Sequence, residues 1–170
     1  MKKLLTLALI IGFSVITNAQ DEKSKKLPAV DVKTMEGKSI NTSELSNDGK
    51  PMIIDFWATW CKPCIKELNN IADVYDDWVE ETGVKIYAVS IDDTKSSARV
   101  PTLVNTLGWE YDIILDQNKD FFRKMNGNAP PLVILLDGKG NIVYTHNGYN
   151  EGDEDELYEH LLELTEEKSE

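Results

Sequence analysis

Two cysteines stand three positions apart in this 170-residue chain, which contains no others. Cys61 and Cys64 belong to "DFWATWCKPC", residues 55–64. Thiols at this spacing suit three chemistries: a structural disulfide, part of a metal site, or a reversible redox pair. A structural staple is the weakest of them. Closing a four-residue loop yields roughly 2 kcal/mol of chain entropy, against about 4.7 kcal/mol for a hundred-residue loop. A zinc site needs four ligands, and the chain adds only the distant His146 and His160. No resident metal or other cofactor is therefore expected beyond a redox-active Cys61–Cys64 disulfide. Two thiolates do suit Cu(I), which keeps a copper-binding chaperone as an alternative.

The surrounding residues favour redox chemistry. "KPMIIDFWA", residues 50–58, is a continuous apolar run of the kind that forms a strand buried on both faces. Beyond Pro63 a helical pattern begins, with Ile65, Leu68, Ala72, Tyr75 and Val79 on one face and Gly83 as its stop. Cys61 thus falls where a strand gives way to a helix, and unpaired amides at the positive helix end favour its thiolate. Cys64, one turn further, can attack a mixed disulfide formed on Cys61 and release the partner. Pro63 fits a first helical turn, where no amide bond is lost. Asp55, flanked by Ile54 and Phe56, is expected to be desolvated, with a raised pKa suited to taking the Cys64 proton. Glu67 follows Cys64 by one turn on the same helical face and competes for that role. Of the tryptophans, Trp60 is expected on the docking surface and Trp57 in the core. Lys62, between the cysteines, favours thiolate only modestly because an exposed charge is screened.

Further elements follow along the chain. "VKIYAVSID" (84–92) reads as a strand, residues 96–109 as a helix starting or bending near Pro101, and "YDIILD" (111–116) as a short strand. "KDFFRKMN" (119–126) reads as a short helix. Residues 131–149 form a hairpin about a Gly-Lys-Gly turn, and residues 153–166 a closing amphipathic helix. An added hairpin turning at Glu36-Gly37 precedes them. This order predicts a central mixed sheet covered on both faces, with chemistry at the sheet end after Ala58.

"DFWATWCKPC" resembles the active-site segment of the thioredoxin superfamily, and "WCKPCIKEL" is similar to TlpA-like extracytoplasmic thiol-disulfide oxidoreductases. The likeness extends through "VSIDD" (89–93), residues 98–116, "PLVILLDGKGNIV" (131–143) and "HNGY" (146–149). It implies an α/β thioredoxin fold with an added N-terminal β-hairpin. It also implies a cis proline facing the cysteines, for which Pro131 is favoured and Pro130 replaces the usual preceding residue. Pro130 and Pro131 join Trp60, Lys62 and Pro63 as expected substrate contacts. Asp55 matches the buried acid of thioredoxins, and Glu67 the acid of TlpA-like proteins. Asn69 stands where the family usually carries a helix-bending proline, so a straighter helix is expected. His146 and His160 are set aside as structural or solvated.

At the N-terminus, Lys2 and Lys3 precede an apolar run over residues 4–16 and then small and polar residues, the pattern of a secretory signal cleaved after Ala19. The run is too short to span a membrane. The expected organisation is a signal peptide at 1–19, a flexible leader at 20–27, one thioredoxin-like domain at 28–165 and a frayed tail at 166–170. The net charge of −12 becomes −14 without the two leader lysines, which disfavours nucleic acid and anionic lipid as partners. Together these readings describe a periplasmic, monomeric disulfide reductase. Its partners are envelope protein disulfides and a thiol electron donor, and a peroxiredoxin-like thiol peroxidase is the rival enzyme.

Overall fold

A computed structural model describes residues 25–166. The expected signal peptide at 1–19 and residues 167–170 of the expected tail lie outside these residues, while Glu166 closes the last helix. A hairpin comes first, formed by β1 (Asp31–Thr34) and β2 (Ser39–Asn41), turning through Gly37 at φ +83°. Next comes the segment around the cysteines: β3 (Met52–Trp57), α1 (Lys62–Ala72), α2 (Tyr75–Thr82) and β4 (Lys85–Ser90). The chain continues through α3 (Val100–Leu107), β5 (Asp112–Leu115) and α4 (Asp120–Lys124). It ends with the hairpin of β6 (Leu132–Leu136) and β7 (Ile142–Asn147) and with α5 (Asp153–Glu166).

The seven strands form one sheet in the order β2-β1-β5-β4-β3-β6-β7. β3, β4 and β5 run parallel, while β1 and β6 pair antiparallel to β5 and β3. Every residue of β3 and β6 is buried, as expected of central strands covered on both faces. On one face Phe56 meets Phe121 and Phe122 of α4 at 4.9 and 5.3 Å between ring centres. On the other, Trp57 packs edge-to-face on Trp109 at 4.9 Å, and α1, α2 and α5 pack on one another, with Trp78 stacked on Tyr158. Each such fully buried apolar side chain stabilises the fold by roughly 1.5–3 kcal/mol.

Two local expectations are corrected. The helical pattern of residues 65–79 is not one straight helix. It breaks at Asp73 and Val74, where Val74 (φ −123°, ψ 3°) donates to the Ile71 carbonyl three residues back. The break keeps the hydrophobic phase while redirecting α2, so that Trp78 reaches α5 and the Tyr75 hydroxyl accepts from the Ile86 amide. Lys25 to Leu27, placed in a flexible leader, engage the fold: the Lys25 carbonyl accepts from the Ile142 amide, Lys26 Nζ donates to the Lys139 carbonyl, and Leu27 packs on the core.

Candidate active site

β3 ends at Trp57 and α1 begins at Lys62, so the cysteines lie at the carboxyl end of a central parallel strand, where open α/β sheets form their sites. Cys61 is the N-cap of α1, and the Cys64 amide donates to its Sγ at 3.3 Å. An amide pointed at sulfur at a helix N-terminus stabilises negative charge there. The two sulfurs are joined, with a Cα–Cα distance of 5.4 Å. Their exposures differ: Cys61 retains 4% and Cys64 none, so an incoming sulfur meets Cys61 first. Lys62 and Pro63 are exposed on the first turn. Trp60 is 55% exposed, with Lys119 Nζ 5.9 Å from its ring centre, whereas Trp57 is fully buried.

The Pro130–Pro131 peptide bond is cis, and Pro131 is buried directly before β6. Gly127 leads into this turn with its Cα so close to Phe122 that a Cβ would stand 2.2 Å from the ring.

Asp55 points to the sheet face that α1 covers. It is 0% exposed, and among the described residues neither of its oxygens has a hydrogen-bond partner. Burial pushes its pKa up. Glu67, one turn after Cys64, is 3% exposed with Oε2 likewise unpartnered. Burial first, then the negative charges of Asp55, Asp153 and Glu154, push Glu67 up as well. A raised pKa makes each carboxylate a stronger base and each carboxylic acid able to hold its proton at neutral pH. Asn69 accepts from Trp109 Nε1 at 2.8 Å, which ties α1 to the segment before β5.

The sequence reading missed Asp92, although it lies in the quoted "VSIDD". Fully buried, Asp92 accepts from the Thr59 amide and hydroxyl, both at 2.7 Å, and from Ser90 Oγ at 3.0 Å. Those bonds hold the turn that presents Trp60 and Cys61. The available signal was an acid at the end of one parallel strand beside a threonine at the end of its neighbour. His160 sits on α5 against Glu163 and Glu156. His146 Nε2 meets Asp153 Oδ2 at 3.1 Å. Among the described residues no group of three or more His, Cys, Asp and Glu side chains is arranged to hold a metal, and no helix is long and apolar enough to cross a membrane.

Comparison with known proteins agrees with this geometry. Residues 24–145 match the AhpC/TSA family. Thiol-disulfide oxidoreductase ResA of Bacillus thuringiensis (strain Al Hakam) is 32% identical over 145 residues, covering 82% of this chain and 81% of that protein. Sporulation thiol-disulfide oxidoreductase A of Bacillus subtilis (strain 168) is 31% identical over 154 residues, covering 86% and 90%. A thioredoxin-like protein from Porphyromonas gingivalis, solved in solution, superposes with a TM-score of 0.77 at 52% identity, covering 83% of this chain and 92% of its own. A sheet that ends in a Cys-x-x-Cys N-cap, and relatives that match across most of its length, identify the chain as a member of the thioredoxin-like AhpC/TSA family and, within it, as a ResA-type thiol-disulfide oxidoreductase.

Proposed function

We propose that this oxidoreductase is an exported disulfide reductase that acts on protein disulfides of the cell envelope. The signal pattern of residues 1–19 supports export to the periplasm. One observation carries the catalytic reading: the cysteines are unequal. Cys61 lies at the helix N-cap with an amide on its sulfur and keeps the exposed edge, while Cys64 is wholly buried.

In the reduced protein the Cys61 thiolate attacks a substrate disulfide. A Cys61–substrate bond forms, and the first substrate sulfur leaves as a thiolate that takes a proton from solvent. Cys64 then gives its proton to Asp55 or Glu67 and attacks Cys61. The Cys61–Cys64 bond forms, the mixed disulfide breaks, and the second substrate sulfur leaves with the bonding electron pair. Two electrons pass to the substrate, and an external thiol donor must return them. Trp60, Lys62 and Pro63, adjacent to the cysteines in the chain, together with Pro130 and Pro131 form the proposed surface for an extended polypeptide, whose backbone can pair beside the strand that Pro131 opens.

A Cys64→Ser variant removes the resolving sulfur and is expected to accumulate mixed disulfides through Cys61 in envelope extracts, reversed by dithiothreitol. If no adducts form while Cys61 still alkylates, the scheme is wrong. Equilibration with glutathione sets the direction. The Lys62-Pro63 pair places no histidine beside Cys61 to favour the thiolate, so a potential near thioredoxin's, about −270 mV, is expected, and a value near DsbA's, about −120 mV, would make the protein an oxidant. Sustained peroxide consumption with dithiothreitol would instead support a thiol peroxidase.

A further inference from the structure

The buried carboxyls face a problem of access. Asp55 and Cys64 have no exposed surface, and under the proposed function, on which this inference rests, a docked polypeptide covers the exposed edge of Cys61. Each exchange moves a proton between Cys64 and a buried carboxyl, and that carboxyl must in turn exchange it with solvent.

The strand register supplies a lateral route. Asp55 of β3 stands opposite Val133 of β6, and Val133 opposite His146 of β7. Directly paired residues point to the same side of a sheet, so these three side chains form one row on the face that α1 and α5 cover. β7 is an edge strand on which Ile142, Tyr144 and His146 turn inward while Val143, Thr145 and Asn147 are exposed. Above the row, a narrow cleft is lined by Glu67, Val133, Tyr144, His146, Asp153 and Leu157. Glu67 brings an unpartnered, buried Oε2 to this cleft, and the far wall is the His146–Asp153 pair, with Nε2 to Oδ2 at 3.1 Å and both side chains partly exposed.

We propose that His146, oriented by Asp153, is the proton port of the buried carboxyls. Protons exchanged with Cys64 cross from Asp55 through Glu67 to His146 and reach solvent beside α5, away from the docking face. An imidazole can accept a proton on one nitrogen while releasing one from the other, and Nε2 faces the partly exposed Asp153 carboxylate, which leads on to solvent. Glu67 and His146 face each other across this cleft, and transfer requires the carboxyl and the ring to approach across it. The groups that bear on Glu67 are Asp55 from β3, Tyr111 from the segment before β5, Tyr144 from β7, Tyr149 from the following loop, and Asp153 and Glu154 from α5. Asp153, beside His146, attracts a proton toward the port. Tyr144 lies parallel to the His146 ring at 6.2 Å between centres and is tilted against His160 at 4.4 Å. The route serves exchange in either direction. As Cys64 attacks Cys61, the thiol proton enters the port and the partner sulfur leaves with the electron pair; in the reverse reaction the port returns the proton.

The test uses the mature protein with a peptide disulfide as substrate, at saturating peptide and low buffer concentration, reading release of the peptide thiol after a single turnover. His146→Gln keeps a donor for Asp153 but cannot relay a proton, and release is expected to slow by about tenfold or more. Added imidazole should restore the rate. The surface variant His160→Gln should behave as wild type. Glu67→Gln combined with His146→Gln should lose no more than the worse single variant, because both lie on one path. Wild-type release in His146→Gln overturns the proposal, as does a loss that imidazole leaves untouched or a double variant whose losses multiply. His146→Asn, read the same way, replaces His146→Gln if the latter folds poorly.

Discussion

Asp55→Asn isolates the cost of burying an acid with no partner. In the fold, burial pushes the Asp55 carboxyl from 3.8 up to about 8. A group whose folded pKa is raised holds its proton more tightly in the native state. Its contribution to stability is therefore complete below the unfolded value, near pH 4, and is lost as pH climbs through about 8. At about 1.4 kcal/mol per pH unit, this interval represents on the order of 5 kcal/mol of lost stability. Asparagine cannot ionise. Its amide remains an unpartnered buried polar group, but that penalty is independent of pH, so slope rather than absolute stability is the readout. Glu67 keeps titrating in the variant, which leaves a residual slope. The assay is urea unfolding of the oxidised protein from pH 4.5 to 9, with the disulfide intact so that no thiol titrates. The variant is expected to gain on wild type by roughly 3 to 5 kcal/mol between pH 5 and pH 8.5. Parallel curves for the two proteins would refute the assignment of a raised pKa to this carboxyl.

Two further perturbations probe the scaffold around the sulfurs. Asp92→Ala strips three hydrogen bonds from Thr59 and Ser90 and leaves the Thr59 amide unpaired, so a loss of at least about 2 kcal/mol in urea unfolding is expected, with slower alkylation of Cys61 in the reduced form. Gly127→Ala drives a methyl to 2.2 Å from the buried Phe122 ring, which packs on Phe56; the strain should cost roughly 1–3 kcal/mol, and a melting temperature equal to wild type would show that the ring yields freely.

Much of the site was legible because its signals are local. A thiol pair at one-turn spacing, an apolar run before it and Pro63 just inside the helix all act within a few residues, and the structure places Cys61 at the N-cap of α1 accordingly. The same holds for the Gly138-Lys139-Gly140 turn, the closing helix from Asp153, and the opposite fates of Trp57 and Trp60. The Asp73–Val74 break was not legible, since two short helices in phase carry the same periodicity as one long helix.

Residue types and spacing along the chain determined that two unequal sulfurs would meet at the end of a buried strand, because helix ends and hydrophobic periods are short-range physics. Only the tertiary structure decided which distant polar groups serve them. Asp92 reaches Thr59 because β3 and β4 run parallel in register, and His146 joins the Asp55 row because β6 lies between them. A slip of one residue in any of these pairings would turn those side chains to the opposite face, and register is set by long-range burial that no local pattern contains.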